Sequence, residues 1–270
     1  MVRELNGAEL AGFIKERQAK QVRTLRQANR ILPRLLVIKN TNASPVIDIY
    51  IRMKKAYGDD ILIETLVESV SDDEMIEMIE RYNGDESVQG IIVQLPVGDP
   101  AKTDQIVNSI DPAKDVDGLG KDAAFISATA EAINWLAAGY SIDLVSSKIA
   151  IVGNGRLVGA PLNRMWLDSG YDVSVFDETS DNLHERLVES DVIVACAGSP
   201  RLIKASDVKA GAIVIDAGTT SENGQIFGDV DESVRERDDI SITPIRGGVG
   251  PLTISLLYDH LIQACQKLIK

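Results

Sequence analysis

The sequence predicts an α/β fold in two lobes, each built round a parallel sheet. Three observations carry that reading. Hydrophobic residues make up 44% of the chain while aromatic residues make up only 4%, so the core is built from Val, Ile, Leu and Ala, the mix found where parallel strands are covered on both faces. Short apolar runs alternate with amphipathic stretches along the whole chain, the spacing of βα units. A turn-rich segment, Asp115-Val116-Asp117-Gly118-Leu119-Gly120, separates two such series, as a lobe boundary does.

In chain order, Ala8 to about Asn29 reads as a long, partly exposed helix, with Ala11, Ile14, Val22 and Leu25 at helical spacing among Lys, Arg and Gln. Arg34 to Lys39 reads as a strand. Ser44 then offers an N-cap, Pro45 suits the first helical position and Gly58 suits a C-terminal stop, which predicts a helix from Pro45 to Tyr57 with Tyr50 and Lys54 on one face. Ile61 to Leu66 is β-rich. Ser71 to Glu74 is a capping box opening a helix through Tyr82. Gly90 to Val93 is a buried-type strand that stops abruptly at Gln94-Leu95-Pro96, so Gln94 stands at a carboxyl end, where open α/β sheets collect ligands. A helix from Thr103 to Ile110 follows, and a connecting helix is expected from about Asp122 to Ala138. Lys148 to Val152, Asp172 to Phe176, Val192 to Ala195 and Ala212 to Asp216 are the strands of the second series. Gly250 to Leu268 closes the chain as an amphipathic helix.

A formal charge of −13 repels phosphate backbones and anionic headgroups and argues against nucleic acid or membrane as a partner. The first seven residues lack an apolar signal core, and no apolar run reaches the roughly eighteen residues of a membrane span. A soluble, cytoplasmic protein is expected. Cys196 and Cys265 stand far apart and only two histidines are present, so no metal site is expected and both thiols are read as buried.

The strand Lys148 to Val152 runs into Gly153-Asn154-Gly155-Arg156-Leu157-Val158-Gly159. Glycines at a strand-to-helix turn let backbone N–H groups approach a pyrophosphate at the positive end of the helix; a cluster of this kind also serves ordinary tight turns. Asp177, at the end of the next strand, suits the hydroxyls of an adenosine ribose. Glu178 beside it adds a second carboxylate that repels an extra ribose phosphate, so NAD is favoured over NADP. Ala197-Gly198 and Gly218-Thr219 follow later strands and offer small residues against which a flat ring can pack. The cofactor-binding candidates are therefore Gly153, Asn154, Gly155, Leu157, Val158, Asp177, Ala197, Gly198, Gly218 and Thr219.

Four further segments carry a resemblance: Tyr50-Ile51-Arg52-Met53-Lys54, Val93-Gln94-Leu95-Pro96, Lys114-Asp115-Val116-Asp117-Gly118 and Gly247-Gly248-Val249-Gly250-Pro251-Leu252-Thr253. In order and spacing the chain resembles the bifunctional methylenetetrahydrofolate dehydrogenase/methenyltetrahydrofolate cyclohydrolase family. The resemblance implies an N-terminal three-layer α/β folate-binding lobe, residues 1–120 with 252–270, and a Rossmann-like dinucleotide-binding lobe, residues 121–251, with the active site in their cleft. It implies Lys54, Tyr50, Gln94 and Asp117 as the catalytic group and Tyr50, Gln94, Leu95, Pro96, Asp117, Gly248 and Pro251 as substrate-binding residues. It also implies tetrahydrofolate one-carbon derivatives as substrates, NAD or NADP as cofactor, and a homodimer. Lys54 is the central group, and Asp117 is the acceptor for the pterin amino and ring N–H donors.

The sequence departs from the family pattern in places. Ser127-Ala128-Thr129-Ala130 stands where Pro-Cys-Thr-Pro is usual, and Arg246 replaces a proline, its guanidinium suited either to a folate glutamate tail or to a surface carboxylate. Two competing readings are a monofunctional NAD-dependent dehydrogenase and a non-catalytic folate or nucleotide sensor; retention of Lys54 with Tyr50 and Gln94 counts against the second.

Overall fold

A computed structural model describes residues 3–222 and 225–269. Met1 and Lys270, the outer ends of the expected N-terminal lobe, lie outside the described residues. The chain divides into two compact units, each discontinuous in sequence: residues up to Ala11 with Thr129–Thr253, and Gly12–Ala128 with residues from Ile254 on.

The elements begin with β1 (Arg3–Glu4), α1 (Gly7–Gln27), β2 (Arg34–Asn40), α2 (Pro45–Asp60), β3 (Glu64–Val70), α3 (Asp72–Asn83), β4 (Gly90–Val93) and α4 (Thr103–Val107). They continue with α5 (Ala128–Gly139), β5 (Lys148–Val152), α6 (Gly159–Asp168), β6 (Asp172–Phe176), α7 (Leu183–Val188), β7 (Val192–Ala195) and β8 (Ile213–Asp216). The last are β9 (Thr220–Glu222), β10 (Gln225–Phe227), α8 (Glu232–Arg235), β11 (Ser241–Ile242) and α9 (Val249–Gln266).

In the unit containing Gly12–Ala128, a three-stranded parallel sheet runs β3-β2-β4. Its two faces are sorted by the alternation of the strands. Leu36, Ile38, Ile91 and Val93 pack with Met75 and Ile79 of α3 and Ile106 and Val107 of α4. On the opposite face Gly90 lets Leu261 of α9 approach so closely that an added Cβ would stand 2.8 Å from it. The unit is therefore a three-layer α/β sandwich. Ser44 and Pro45 start α2 as expected, the serine hydroxyl accepting the Val46 N–H. At α3, Ser71 N–H and Oγ both donate to Glu74 Oε2.

In the other unit a six-stranded parallel sheet has the order β1-β11-β8-β7-β5-β6. Chain direction across the sheet reverses at β5, which has β6 on one side and β7 on the other, the switch point of a Rossmann-like sheet. Ala150, Val152, Ile193, Ala195 and Val214 are buried in its core. An antiparallel pair, β9 and β10, projects after β8.

Several expectations change. Gly58 does not stop α2; it is buried inside the helix, where an added Cβ would meet the Tyr258 hydroxyl at 2.7 Å and Thr65 Oγ1 at 2.8 Å, so the glycine serves close packing and the helix ends at Asp60. The following strand accordingly begins at Glu64 rather than Ile61. The expected Thr103–Ile110 helix is shorter, ending at Val107. No helix starts at Asp122: Gly118, with φ +69°, folds back against the Phe125 and Ile126 carbonyls, which keeps 118–126 irregular and delays α5 to Ala128. Cys265 is buried as expected, but Cys196 is only partly so, because it stands at the open end of β7. Arg246 is exposed and makes no ion pair among the described residues.

Candidate active site

Lys54 sits in α2 with only 8% of its surface exposed. Its Nζ donates to Gln94 Oε1 at 2.5 Å. Gln94 is fixed in turn by its backbone N–H on the Ile38 carbonyl at 2.8 Å, which continues the β2–β4 ladder one residue past β4. Its amide Nε2 donates to the Leu95 carbonyl at 3.3 Å. The amine is thus held at the carboxyl edge of the sheet. Loss of solvent lowers the Lys54 pKa, and the negative charge of Asp117 pulls against that shift.

Asp117 is the complementary group. Burial raises its carboxyl to about 6, against the opposing pull of Lys54; Asp115 adds to the rise and His260 subtracts from it. The two aspartates of this turn have separate tasks. Asp115 is buried and accepts the backbone N–H groups of Gly118, Leu119 and Gly120, so it, rather than Asp117, is the Asx-type residue that shapes the loop. The backbone carbonyl of Asp117 accepts the Ala128 N–H at 3.1 Å.

α9 contributes two residues that the sequence reading did not single out. Tyr258 donates its hydroxyl to the Lys54 carbonyl at 2.7 Å and meets Thr65 Oγ1 at 2.8 Å. His260 lies with Nδ1 2.8 Å from the Val116 carbonyl and its ring stacked on Phe125, centroids 4.7 Å apart. Both contacts span well over a hundred residues, a separation at which local pattern carries no signal.

The structure therefore brings Lys54, Gln94 and Asp117 into one electrostatic group. Tyr50 stands one turn before Lys54 on α2, half-buried, and Leu95 and Pro96 follow Gln94 directly. Gly248 and Pro251 belong to the other unit, at the start of α9.

In that other unit the glycine turn is built as expected. Gly153 takes φ +107°, and a Cβ at Gly159 would fall 1.8 Å from the Gly153 carbonyl oxygen, so both positions exclude a side chain. Gly155 is exposed with open space where a Cβ would stand, and Asn154 and Leu157 are exposed beside it, with Val158 half-buried at the entry to α6. A backbone laid bare in this way ahead of a helix fits a pyrophosphate. After β6, Asp177 Oδ1 accepts from Thr179 N–H, Thr179 Oγ1 and Ser180 Oγ. Those bonds, led by the Thr179 hydroxyl, hold its carboxyl below the usual range. Ala197, Gly198 and Thr219 are exposed at the ends of β7 and β8, with Gly218 half-buried.

Residues 5–117 match the family model described as tetrahydrofolate dehydrogenase/cyclohydrolase, catalytic domain, and residues 127–269 match its NAD(P)-binding domain. The bifunctional protein FolD of Lactococcus lactis subsp. lactis (strain IL1403) is 33% identical over 97% of this chain and 97% of its own length. Among solved structures, the bifunctional enzyme FolD, methylenetetrahydrofolate dehydrogenase/cyclohydrolase, from Campylobacter jejuni superposes with a TM-score of 0.91 at 32% identity, covering 99% of each chain. A 5,10-methylenetetrahydrofolate dehydrogenase from the silkworm Bombyx mori gives 0.89 at 29% identity, again over 99% of each. With both halves matched in order and nearly end to end, this chain belongs to the tetrahydrofolate dehydrogenase/cyclohydrolase family.

Proposed function

We propose that this chain oxidises methylenetetrahydrofolate to methenyltetrahydrofolate with NAD in preference to NADP, and hydrolyses the methenyl compound to formyltetrahydrofolate. The observation that carries the reading is the buried Lys54 amine, bonded to Gln94 and charge-coupled to Asp117. A lysine on an exposed helix face would have none of these features.

The two steps ask different things of the protein. When bound, the dinucleotide accepts the hydride that leaves the methylene bridge. A neighbouring nitrogen lone pair stabilises the cation left behind, so this step needs position rather than a strong base. Hydrolysis needs proton movement: water adds to the cationic carbon and loses one proton, then one carbon–nitrogen bond breaks as the departing nitrogen is protonated and the new hydroxyl gives up its proton to become the formyl carbonyl, so that one proton in all is released to solvent. A Lys54 amine with lowered pKa can take up and return that proton while Gln94 Oε1 accepts one of its N–H bonds and fixes its direction. Tyr50 is proposed to line the same group from the preceding turn. Asp117 is proposed to accept the pterin amino and ring N–H groups, with Leu95 and Pro96 as apolar neighbours of the ring and Gly248 and Pro251 as further substrate contacts.

The unit containing Gly12–Ala128 is proposed as the folate-binding domain and the unit containing Thr129–Thr253 as the dinucleotide-binding domain. NAD preference rests on Asp177, whose Oδ1 is tied to Thr179 and Ser180 while Oδ2 makes no hydrogen bond among the described residues, and on Glu178 beside it. Cytoplasmic location and a homodimer are part of the same proposal. The test is an assay of methylenetetrahydrofolate oxidation with NAD and with NADP, followed by detection of formyl product. Absence of oxidation with either dinucleotide overturns the reading.

A further inference from the structure

Two heavily bonded carboxylates outside the folate residues lie at the ends of β7 and β8. Asp229 is fully buried. Its Oδ2 accepts the Ala197 N–H at 2.6 Å and the Gly198 N–H at 3.0 Å, and the Ser199 N–H also bonds to the carboxylate. Its own N–H donates to Asp216 Oδ1 at 3.0 Å, and that oxygen also accepts the Gly218 N–H at 3.2 Å. Asp216 is anchored by Arg235 at 2.6 Å, and Arg235 reaches the Thr243 carbonyl at 2.7 Å. The turn after β7 and the turn after β8 are thus joined through two carboxylates. A second tie runs from Thr220 Oγ1 to the Gly198 carbonyl at 2.9 Å.

Two features set this apart from ordinary packing. Asp229 Oδ1 is buried and has no hydrogen-bond partner among the described residues, a costly choice where a neutral acceptor would hold the same N–H groups. Gly218 is also required by it, since a Cβ there would stand 2.1 Å from the Asp229 carboxyl carbon. The opposite side of the clamped turn is open: Gly198, at φ +68°, has nothing within 4 Å of the position a Cβ would take. Strand order supplies the rest of the argument. With the pyrophosphate turn after β5 and the ribose carboxylate after β6, the half of a dinucleotide that remains lies to the other side of β5, over β7 and β8.

We propose that Asp229 is a positioning residue for the nicotinamide half of the cofactor, fixing the turn after β7 relative to the turn after β8 so that together they seat that half. The assignment rests on the dinucleotide reading above. Its test separates the two halves of the ligand by titrating the full-length protein with NAD and with ADP-ribose, which keeps the adenosine and pyrophosphate and lacks the nicotinamide. In Asp229→Asn the Kd for NAD rises about tenfold, the weight of one charge-assisted bond reduced to neutral ones, while the Kd for ADP-ribose stays within about twofold. Thr220→Val, which removes the second tie and leaves Asp229 intact, reproduces the pattern at about threefold and serves if Asp229→Asn does not fold. Parallel weakening of both ligands, or unchanged NAD binding, overturns the positioning role while leaving the dinucleotide reading in place. Failure of the unaltered protein to bind either ligand overturns both.

Discussion

Tyr258 and Lys54 are joined through the backbone: the tyrosine hydroxyl, on the last helix, donates to the lysine carbonyl at 2.7 Å in the middle of α2. The same hydroxyl meets Thr65 Oγ1, so one phenol ties a helix, a strand and the residue that carries the proposed proton transfer. Tyr258→Phe keeps the ring, its stacking on Tyr57 at 5.2 Å and most of the buried area. It removes the hydrogen bonds that the hydroxyl makes with the Lys54 carbonyl and with Thr65 Oγ1, and the expected cost is about 1–3 kcal/mol. Urea denaturation of the two proteins measures it, and a cost near zero would show that the tie between the last helix and α2 adds nothing to stability.

Lys54→Met removes a buried amine whose charged form is penalised. Formyl production is expected to disappear while dinucleotide binding persists, and the variant is expected to be the more stable protein at neutral pH, since a thioether suits the site better than an ammonium group. The sign with pH follows from the lowered folded pKa. Between that value and the unfolded value of about 10.5 the unfolded chain holds more protons, so the unaltered protein gains on the variant as pH rises through this window. Denaturation at several pH values reads both effects.

Burial pushes the Asp117 carboxyl up to about 6 in the folded protein, above the ordinary carboxylate range. As the proposed acceptor for the pterin it works ionised, so folate affinity falls as pH drops through about 6. The stability sign is opposite: the raised pKa favours the folded state at pH below the unfolded value, and that advantage is lost as pH rises through the folded one. Asp117→Asn is therefore expected to flatten the pH dependence of folate binding and to gain stability on the unaltered protein above about pH 6. A variant that keeps the original binding profile would place the titration on another group.

Asp177→Ser exchanges a carboxylate at the proposed ribose site for a hydroxyl. The ratio of kcat/KM for NADP to that for NAD is expected to rise by about fivefold, a modest gain because the site is solvent-screened and Glu178 remains. Steady-state oxidation rates with the two cofactors decide the point, and an unchanged ratio would remove charge repulsion as the basis of the preference.

The parts of this molecule that local chemistry determines were legible beforehand. The strands Lys148–Val152, Asp172–Phe176 and Gly90–Val93, the Ser44-Pro45 start of α2 and the Ser71/Glu74 box all follow from residues within a few positions of one another. Gly58 is ambiguous in the sequence because a glycine that ends a helix and one that admits a tyrosine from the far end of the chain look alike in a one-dimensional pattern. The delayed start of α5 has the same origin, since the loop before it is held by Gly118 folded against Ile126. In the site, Lys54 was legible through the company it keeps in a family motif; spacing alone makes it an ordinary helix lysine. Tyr258, His260 and Asp229, and the loop-shaping role of Asp115, are not legible in the sequence because each bonds backbone groups, and a carbonyl or an N–H as partner leaves no trace in residue type.

The short strand β1 pairs in parallel with β11, and α9 gives all but its first turn to the sandwich that β2 begins. Each unit therefore needs residues from both early and late in synthesis. The first 128 residues hold most of one unit and only the opening residues of the other, and the first unit lacks its share of α9 until the chain has passed Ile254. A cut at the apparent midpoint therefore separates each unit from part of itself, and neither fragment carries a whole unit.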